Sequence, residues 1–286
     1  MTAELLFHLP GVQKLSEGPV WDHRTSLLWW VDIHDKKLYR YNPETGNHTP
    51  FSIDQYVGAA VLRSEKGLVL ALERGFYLFD EETGSLSHLS DPEPDLPSNR
   101  FNDGKVDPGG TFWAGTMDNS EQAISGSLYS LEPQTLTFAK AFSGVSISNG
   151  LAWTADSNTF YYIDSPTQRV DGFDFDLASG ILSKRREVLR FEQSFGTPDG
   201  MCIDTEDNLW IAFWEGSKVA CFDPRTGKQL AQIDIPTQRI TSCCFGGAEM
   251  DTLFITSAAK EGDSLGGAIF SAKPGVTGPP TNFFAG

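Results

Sequence analysis

Short runs of apolar residues recur along the whole chain, separated by clusters of Gly, Pro, Asn and Asp. Leu27-Leu28-Trp29-Trp30-Val31, Phe160-Tyr161-Tyr162-Ile163 and Leu209-Trp210-Ile211-Ala212 are typical. Runs this short, rich in aromatic and β-branched residues and bounded by turn formers, read as β-strands. The runs are also ordered. A Gly-containing polar turn leads into an apolar stretch, and a polar turn follows. An apolar-aromatic strand comes next, then another strand ending in an Asp/Asn-Pro-x-Thr-Gly turn. The first clear copy takes in Glu17–Asp22, Ser26–Asp32, Lys37–Tyr41 and Asn42–Gly46, and another takes in Asp199–Asp204, Asn208–Ala212, Lys218–Phe222 and Asp223–Gly227. Setting residues 17, 58, 102, 149, 199 and 242 as equivalent gives steps of 41, 44, 47, 50 and 43.

A period of this size with four strands per unit predicts an all-β six-bladed β-propeller of antiparallel four-stranded blades. The strand Glu4–Leu9 precedes the first unit, so it is expected to complete the last blade and close the ring, covering an exposed edge. Residues 1–286 are then expected to form a single domain.

Charge narrows the partners. The chain has 38 acidic and 22 basic residues, a net charge of −16. This excludes a nucleic-acid or anionic-membrane surface, both of which need clustered Lys and Arg. No window is apolar enough for a membrane-spanning helix. Met1–Pro10 has no secretory pattern, and the four Cys show no paired metal spacing, so reduced thiols and a cytoplasmic location are expected. The five His, at 8, 23, 34, 48 and 88, form no spaced pair, and no Gly-x-Ser-x-Gly elbow is present. Glu65, Glu73, Asp80, Glu81 and Glu82 read as exposed turn and strand residues of the second blade.

The repeat also predicts a site. Equivalent positions in a propeller sit at equivalent places around its axis, and the turn into each first strand lies near one mouth of the channel. Four units present Glu17, Asn102, Asn149 and Asp199 there. Each alone reads as a turn residue. Together they offer two carboxylates and two amide oxygens, a hard set suited to Ca²⁺, Mg²⁺ or Mn²⁺, or to Zn²⁺ with open positions.

The sequence resembles the SMP-30, gluconolactonase, regucalcin and luciferin-regenerating enzyme family over nearly its whole length. The motifs that carry the resemblance are Ser16–Trp21, Asn99–Pro108, Ala114–Met117, Ser148–Leu151, Pro198–Asp204 and Thr241–Gly247. It implies one divalent cation (Ca²⁺, Zn²⁺, Mn²⁺ or Mg²⁺) held by Glu17, Asn149 and Asp199. It also implies substrate contacts at Arg100 and Asn102, and at an acidic residue after Gly115-Thr116-Met117. Glu121 is the better match for that residue and Asp118 the reserve. The implied reaction is hydrolysis of a sugar-acid lactone of the glucono-, xylono- or arabinono- type, with Asp199 as general base. The expected partner is therefore a small-molecule sugar lactone, with no nucleic acid and no membrane, in a monomer or dimer. A non-catalytic calcium-binding regulator is the alternative that the same resemblance implies.

Overall fold

The computed structural model describes residues 1–286. The apolar runs become 24 strands in six antiparallel four-stranded sheets. In the first blade these are Ser16–Asp22, Leu27–Asp32, Lys37–Tyr41 and His48–Ser52, hydrogen-bonded in that order from the axis outward. The inner strands of the next five blades are Val57–Leu62, Asn99–Val106, Ser148–Trp153, Thr197–Ile203 and Ile240–Gly246. Each inner strand packs on the next, and the sixth packs on the first, which closes the ring. The sixth blade takes its outermost strand from the other end of the chain, Glu4–Phe7 pairing with Ile269–Ala272. The expected closure and the six-bladed propeller are both present.

Burial explains the composition of each strand. Every residue of Val57–Leu62 is buried, whereas Ile181–Arg190, the outer strand of the fourth blade, is largely exposed and basic in its middle. The aromatic residues fill the seams between sheets. Trp21 stacks on Phe254 at 5.3 Å between the first and sixth blades, and Phe76 meets Phe101 at 4.7 Å between the second and third. Such pairs add roughly 0.5–1.5 kcal/mol each beyond the area they bury. The Trp and Phe content is thus used mainly in packing.

Two features were not expected from the sequence. Every inner strand carries one residue more than its partner strand, in register breaks between Glu17 and Val20, Val57 and Ala59, Phe101 and Gly104, Asn149 and Leu151, Pro198 and Met201, and Ile240 and Ser242. These are β-bulges, repeated in all six blades. The second feature is the C-terminal segment, residues 273–286, which runs back beneath the ring. It bonds in turn to Thr205, Met250, Trp21, Leu62 and Gly110, touching the fifth, sixth, first, second and third blades. No helix is long and apolar enough to cross a membrane.

Candidate functional site

Glu17, Asn102, Asn149 and Asp199 do not lie in turns, as the Asn-Gly and Asp-Gly pairs implied. They lie inside the inner strands, at the bulges. An extra residue breaks the alternation of side chains between the two faces of a sheet and re-aims the bulged residue. Glycine follows Asn149 and Asp199 because the inner strands approach closely there. A Cβ on Gly200 would stand 2.2 Å from the Ser242 hydroxyl, and one on Gly150 2.9 Å from the Asp199 carbonyl oxygen.

A chain of hydrogen bonds crosses three blades. Arg100 Nη1 donates to Asn102 Oδ1 at 2.7 Å, and Asn102 Nδ2 donates to Asn149 Oδ1 at 3.0 Å. Asn149 Nδ2 donates to Ser165 Oγ at 2.8 Å, and that hydroxyl donates to the carbonyl oxygen of Pro198 at 2.7 Å, next to Asp199. The network assigns the orientation of both amides and leaves them little freedom to rotate.

The carboxylates are crowded. Glu17, Asp103 and Asp199 are 5 %, 6 % and 6 % exposed. Burial, and then the charge of Asp103, raises the Glu17 carboxyl to about 8. Asp199 is raised well above the usual range by burial, then by Glu17 and Asp103. Burial also raises Asp103. Glu17 and Asp199 act on each other's carboxyl, Glu17 accepts from the backbone N–H of Gly18 at 2.7 Å, and Asp199 Oδ1 is buried without any partner. An orphaned anionic oxygen beside a second strained carboxyl fits a bound cation. No three His, Cys, Asp or Glu side chains are grouped for an ion, so a set of three needs the amide oxygen of Asn149. The donor types therefore fit a hard divalent cation.

Arg100 is 4 % exposed, and all its hydrogen bonds go to uncharged oxygens: Asn119 Oδ1 at 2.9 Å, the Phe101 carbonyl at 3.0 Å and Asn102 Oδ1. Burial lowers its pKa to about 10, opposed by the nearby charges of Glu121 and Glu17 and, more weakly, Tyr56 and Glu73. Glu73 is thus half-buried and near the site, not merely an exposed residue of the second blade.

The two acidic positions after Met117 have different surroundings. Asp118 accepts from the Ser120 hydroxyl at 2.6 Å and from the backbone N–H groups of Gln122 and Ala123 at 3.0 Å each. It folds the 119–125 loop. Asp32 and Asp164 stand at the same place in their blades, each binding the backbone of the incoming loop. That repeated phase, Val31-Asp32, Met117-Asp118 and Ile163-Asp164, was the available sequence signal. Glu121 is exposed, in the left-handed region at φ 59°, and within electrostatic reach of Arg100.

Asp103, Ser165 and Lys105 also belong to this centre and were not singled out by sequence. Lys105 extends from the third blade to donate to the Met201 carbonyl of the fifth at 2.5 Å, across the channel. The four thiols are free, and Cys202 and Cys243 approach to 3.6 Å in the core.

Comparison with known proteins gives a consistent picture. The sequence pattern of the SMP-30/Gluconolactonase/LRE-like region matches residues 15–259. The chain is 40 % identical to regucalcin of Xenopus laevis, over 96 % of this chain and 95 % of the relative. Among solved structures, a luciferin-regenerating enzyme superposes with a TM-score of 0.89 at 31 % identity, covering 97 % of this chain and 100 % of the other. A calcium-binding protein, regucalcin, from Agrobacterium tumefaciens superposes with a TM-score of 0.92 at 26 % identity, covering 99 % and 97 %.

Proposed function

The chain belongs to the SMP-30/gluconolactonase/LRE-like family, and from that premise we propose that it hydrolyses a sugar-acid lactone to the aldonic acid. The observation that carries the reading is the hydrogen-bonded line from buried Arg100 through Asn102, Asn149 and Ser165 to the Pro198 carbonyl, next to which Asp199 keeps a buried carboxyl oxygen without a partner. Such a line offers donors to a polyhydroxylated ring at one end and a proton acceptor at the other.

In this reading Glu17, Asn149 and Asp199 hold one divalent cation, either Ca²⁺, Zn²⁺, Mn²⁺ or Mg²⁺. When bound, the cation supplies Lewis acidity toward the lactone carbonyl and lowers the pKa of water. The remaining chemistry belongs to the chain. Arg100 and Asn102 hold the ring hydroxyls, the planar guanidinium fixing their direction. Glu121, at the rim beside Arg100, accepts from an outer hydroxyl. Asp199 orients the attacking water and takes its proton as the water oxygen adds to the carbonyl carbon, then returns that proton to the ring oxygen, which leaves as a hydroxyl as its bond to the carbonyl carbon breaks. The free thiols accord with a cytoplasmic setting.

The test is acid release from D-glucono-1,5-lactone above its spontaneous rate. Exhaustive EDTA treatment should abolish it, and one of the four cations should restore it. Undiminished turnover by cation-free protein would overturn the mechanism. Tight Ca²⁺ binding without turnover of any sugar lactone would instead favour a non-catalytic calcium-binding protein, in line with the calcium-binding name of the Agrobacterium relative.

A further inference from the structure

Inner-strand residues and the C-terminal segment enclose a chamber of about 490 Å³. Arg100, Asn102, Asn149 and Asp199 do not line it. Its walls include Val20, Trp21, Val61, Trp153, Cys244 and Phe245, and Pro279–Asn282 of the C-terminal segment cross its outer end. Thr281 Oγ1 holds that segment to the Trp21 carbonyl at 2.6 Å, and Asn282 Nδ2 holds it to the Val106 carbonyl at 3.2 Å. A chamber of this size with apolar walls falls within the range of small-molecule sites.

Its charged groups are few. Asp204 is occupied by the Trp210 indole at 3.0 Å and by backbone N–H groups of its own turn, and Asp207 accepts from the Ala155 N–H at 2.8 Å. Lys105 and Asp103 remain. Asp103 is a buried carboxylate with Oδ1 bonded to the Gly104 N–H at 2.7 Å. Lys105 brings an ammonium with three donors, one of them placed on the Met201 carbonyl. Lys105 and Asp103 both line the chamber, two residues apart on the inner strand Asn99–Val106.

We propose that this chamber is a binding site for an uncharged hydroxylated aromatic molecule, of the phenol or naphthol class. Its ring lies against Trp21, Trp153 and Phe245, and its hydroxyl accepts from Lys105 and donates to Asp103. The chemistry of the lining selects this class. An anion would meet the three carboxylates of the wall and a chain of net charge −16; for a cation, Asp204 and Asp207 are already taken by the chain's own donors and Lys105 offsets Asp103. A hydroxyl both donates and accepts, so it satisfies both groups without adding charge. The chamber shares Asp103 and Lys105 with the centre above, but uses neither the Arg100 line nor Glu17, Asn149 and Asp199.

The experiment is a titration of the full chain with 2-naphthol, followed by tryptophan fluorescence and calorimetry, with naphthalene and 2-naphthoate as comparisons. Saturable one-to-one binding is expected, with naphthalene and 2-naphthoate each about tenfold weaker or more. Val20→Phe fills the chamber and should weaken 2-naphthol at least about tenfold. Lys105→Met should remove its advantage over naphthalene. Cys244→Leu fills the chamber from another blade and replaces Val20→Phe if that variant does not fold. The proposal is overturned by absence of saturable binding, by equal affinity for the three ligands, or by unchanged affinity in a folded filling variant.

Discussion

Asn102 Nδ2 donates to Asn149 Oδ1 at 3.0 Å, joining the third and fourth blades at the axis. The same amide group donates to the Ser148 carbonyl at 2.8 Å, while its oxygen receives Arg100. Asn102→Ala should therefore leave the Ser148 carbonyl unpartnered and release the guanidinium. On the lactonase reading, kcat/KM falls on the order of 10- to 100-fold. Steady-state kinetics on the cation-loaded protein check this, and a near-normal value would remove Asn102 from substrate recognition.

Gly200 tests the close approach at the bulges. Gly200→Ala places a Cβ 2.2 Å from Ser242 Oγ, against a well-packed inner strand. It should cost about 1–3 kcal/mol or more. Gly227→Ala is the comparison. Its φ is +73° with nothing within 4 Å, so its cost is only the left-handed backbone, roughly 1–2 kcal/mol. Denaturant unfolding should rank Gly200→Ala as the more damaging of the two.

Asp118 gives a pH prediction. Its carboxylate is lowered to about 2 by the Ser120 hydroxyl and the Gln122 and Ala123 N–H groups. A depressed pKa contributes stability that is complete above the ordinary 3.8 and disappears as pH falls through about 2. The 119–125 loop should therefore keep its ordered amide signals at pH values where ordinary aspartates are protonated. Asp118→Ala should lose that order at neutral pH and raise KM for a lactone more than it lowers kcat. Unchanged loop spectra in Asp118→Ala would contradict this role.

The cation set predicts the behaviour of the cation-free chain. Glu17 is raised from 4.5 to about 8, so its contribution is full below 4.5 and lost as pH rises through about 8. In EDTA, Tm should fall across that interval. Saturating divalent cation binds the folded chain and should raise Tm and remove the slope. A flat profile in EDTA, with no response to any cation, would count against a cation at Glu17 and Asp199.

The repeat was legible because the phase of Glu17, Asn102, Asn149 and Asp199 survives irregular spacing. Their local setting was not. Asn149-Gly150 and Asp199-Gly200 announce a backbone that needs glycine, but the dipeptide does not say whether a turn or a close neighbour requires it. Here the neighbours are Met201 and Ser242 of adjacent inner strands, which no local pattern reveals. Asp103 was hidden for a related reason. Strand alternation separates it from Asn102, and only the bulge makes room for both among the buried residues near the axis. Asp107 and Asp204, which lie within the motifs that carry the resemblance, bind the indoles of Trp113 and Trp210, so those two motif positions serve packing. The path of residues 273–286 had no sequence signal, because a Pro- and Gly-rich segment without periodicity takes its shape from the surface it crosses.

Six bulges form the ring, but polar groups at its axis come unevenly. The second blade offers Gly58 at this phase and the sixth Ser242, beside which the Thr241 hydroxyl is turned to the Ser16 carbonyl at 2.6 Å. At this phase carboxylates come from the first and fifth blades, on either side of the sixth, and amides from the neighbouring third and fourth, with Asp103 following one residue on in the third. A nearly sixfold frame thus has a fixed rotational order of charge and amide about its axis. A sugar and its mirror image present their hydroxyls in opposite order around the same ring, so this arrangement distinguishes the hand of what binds there.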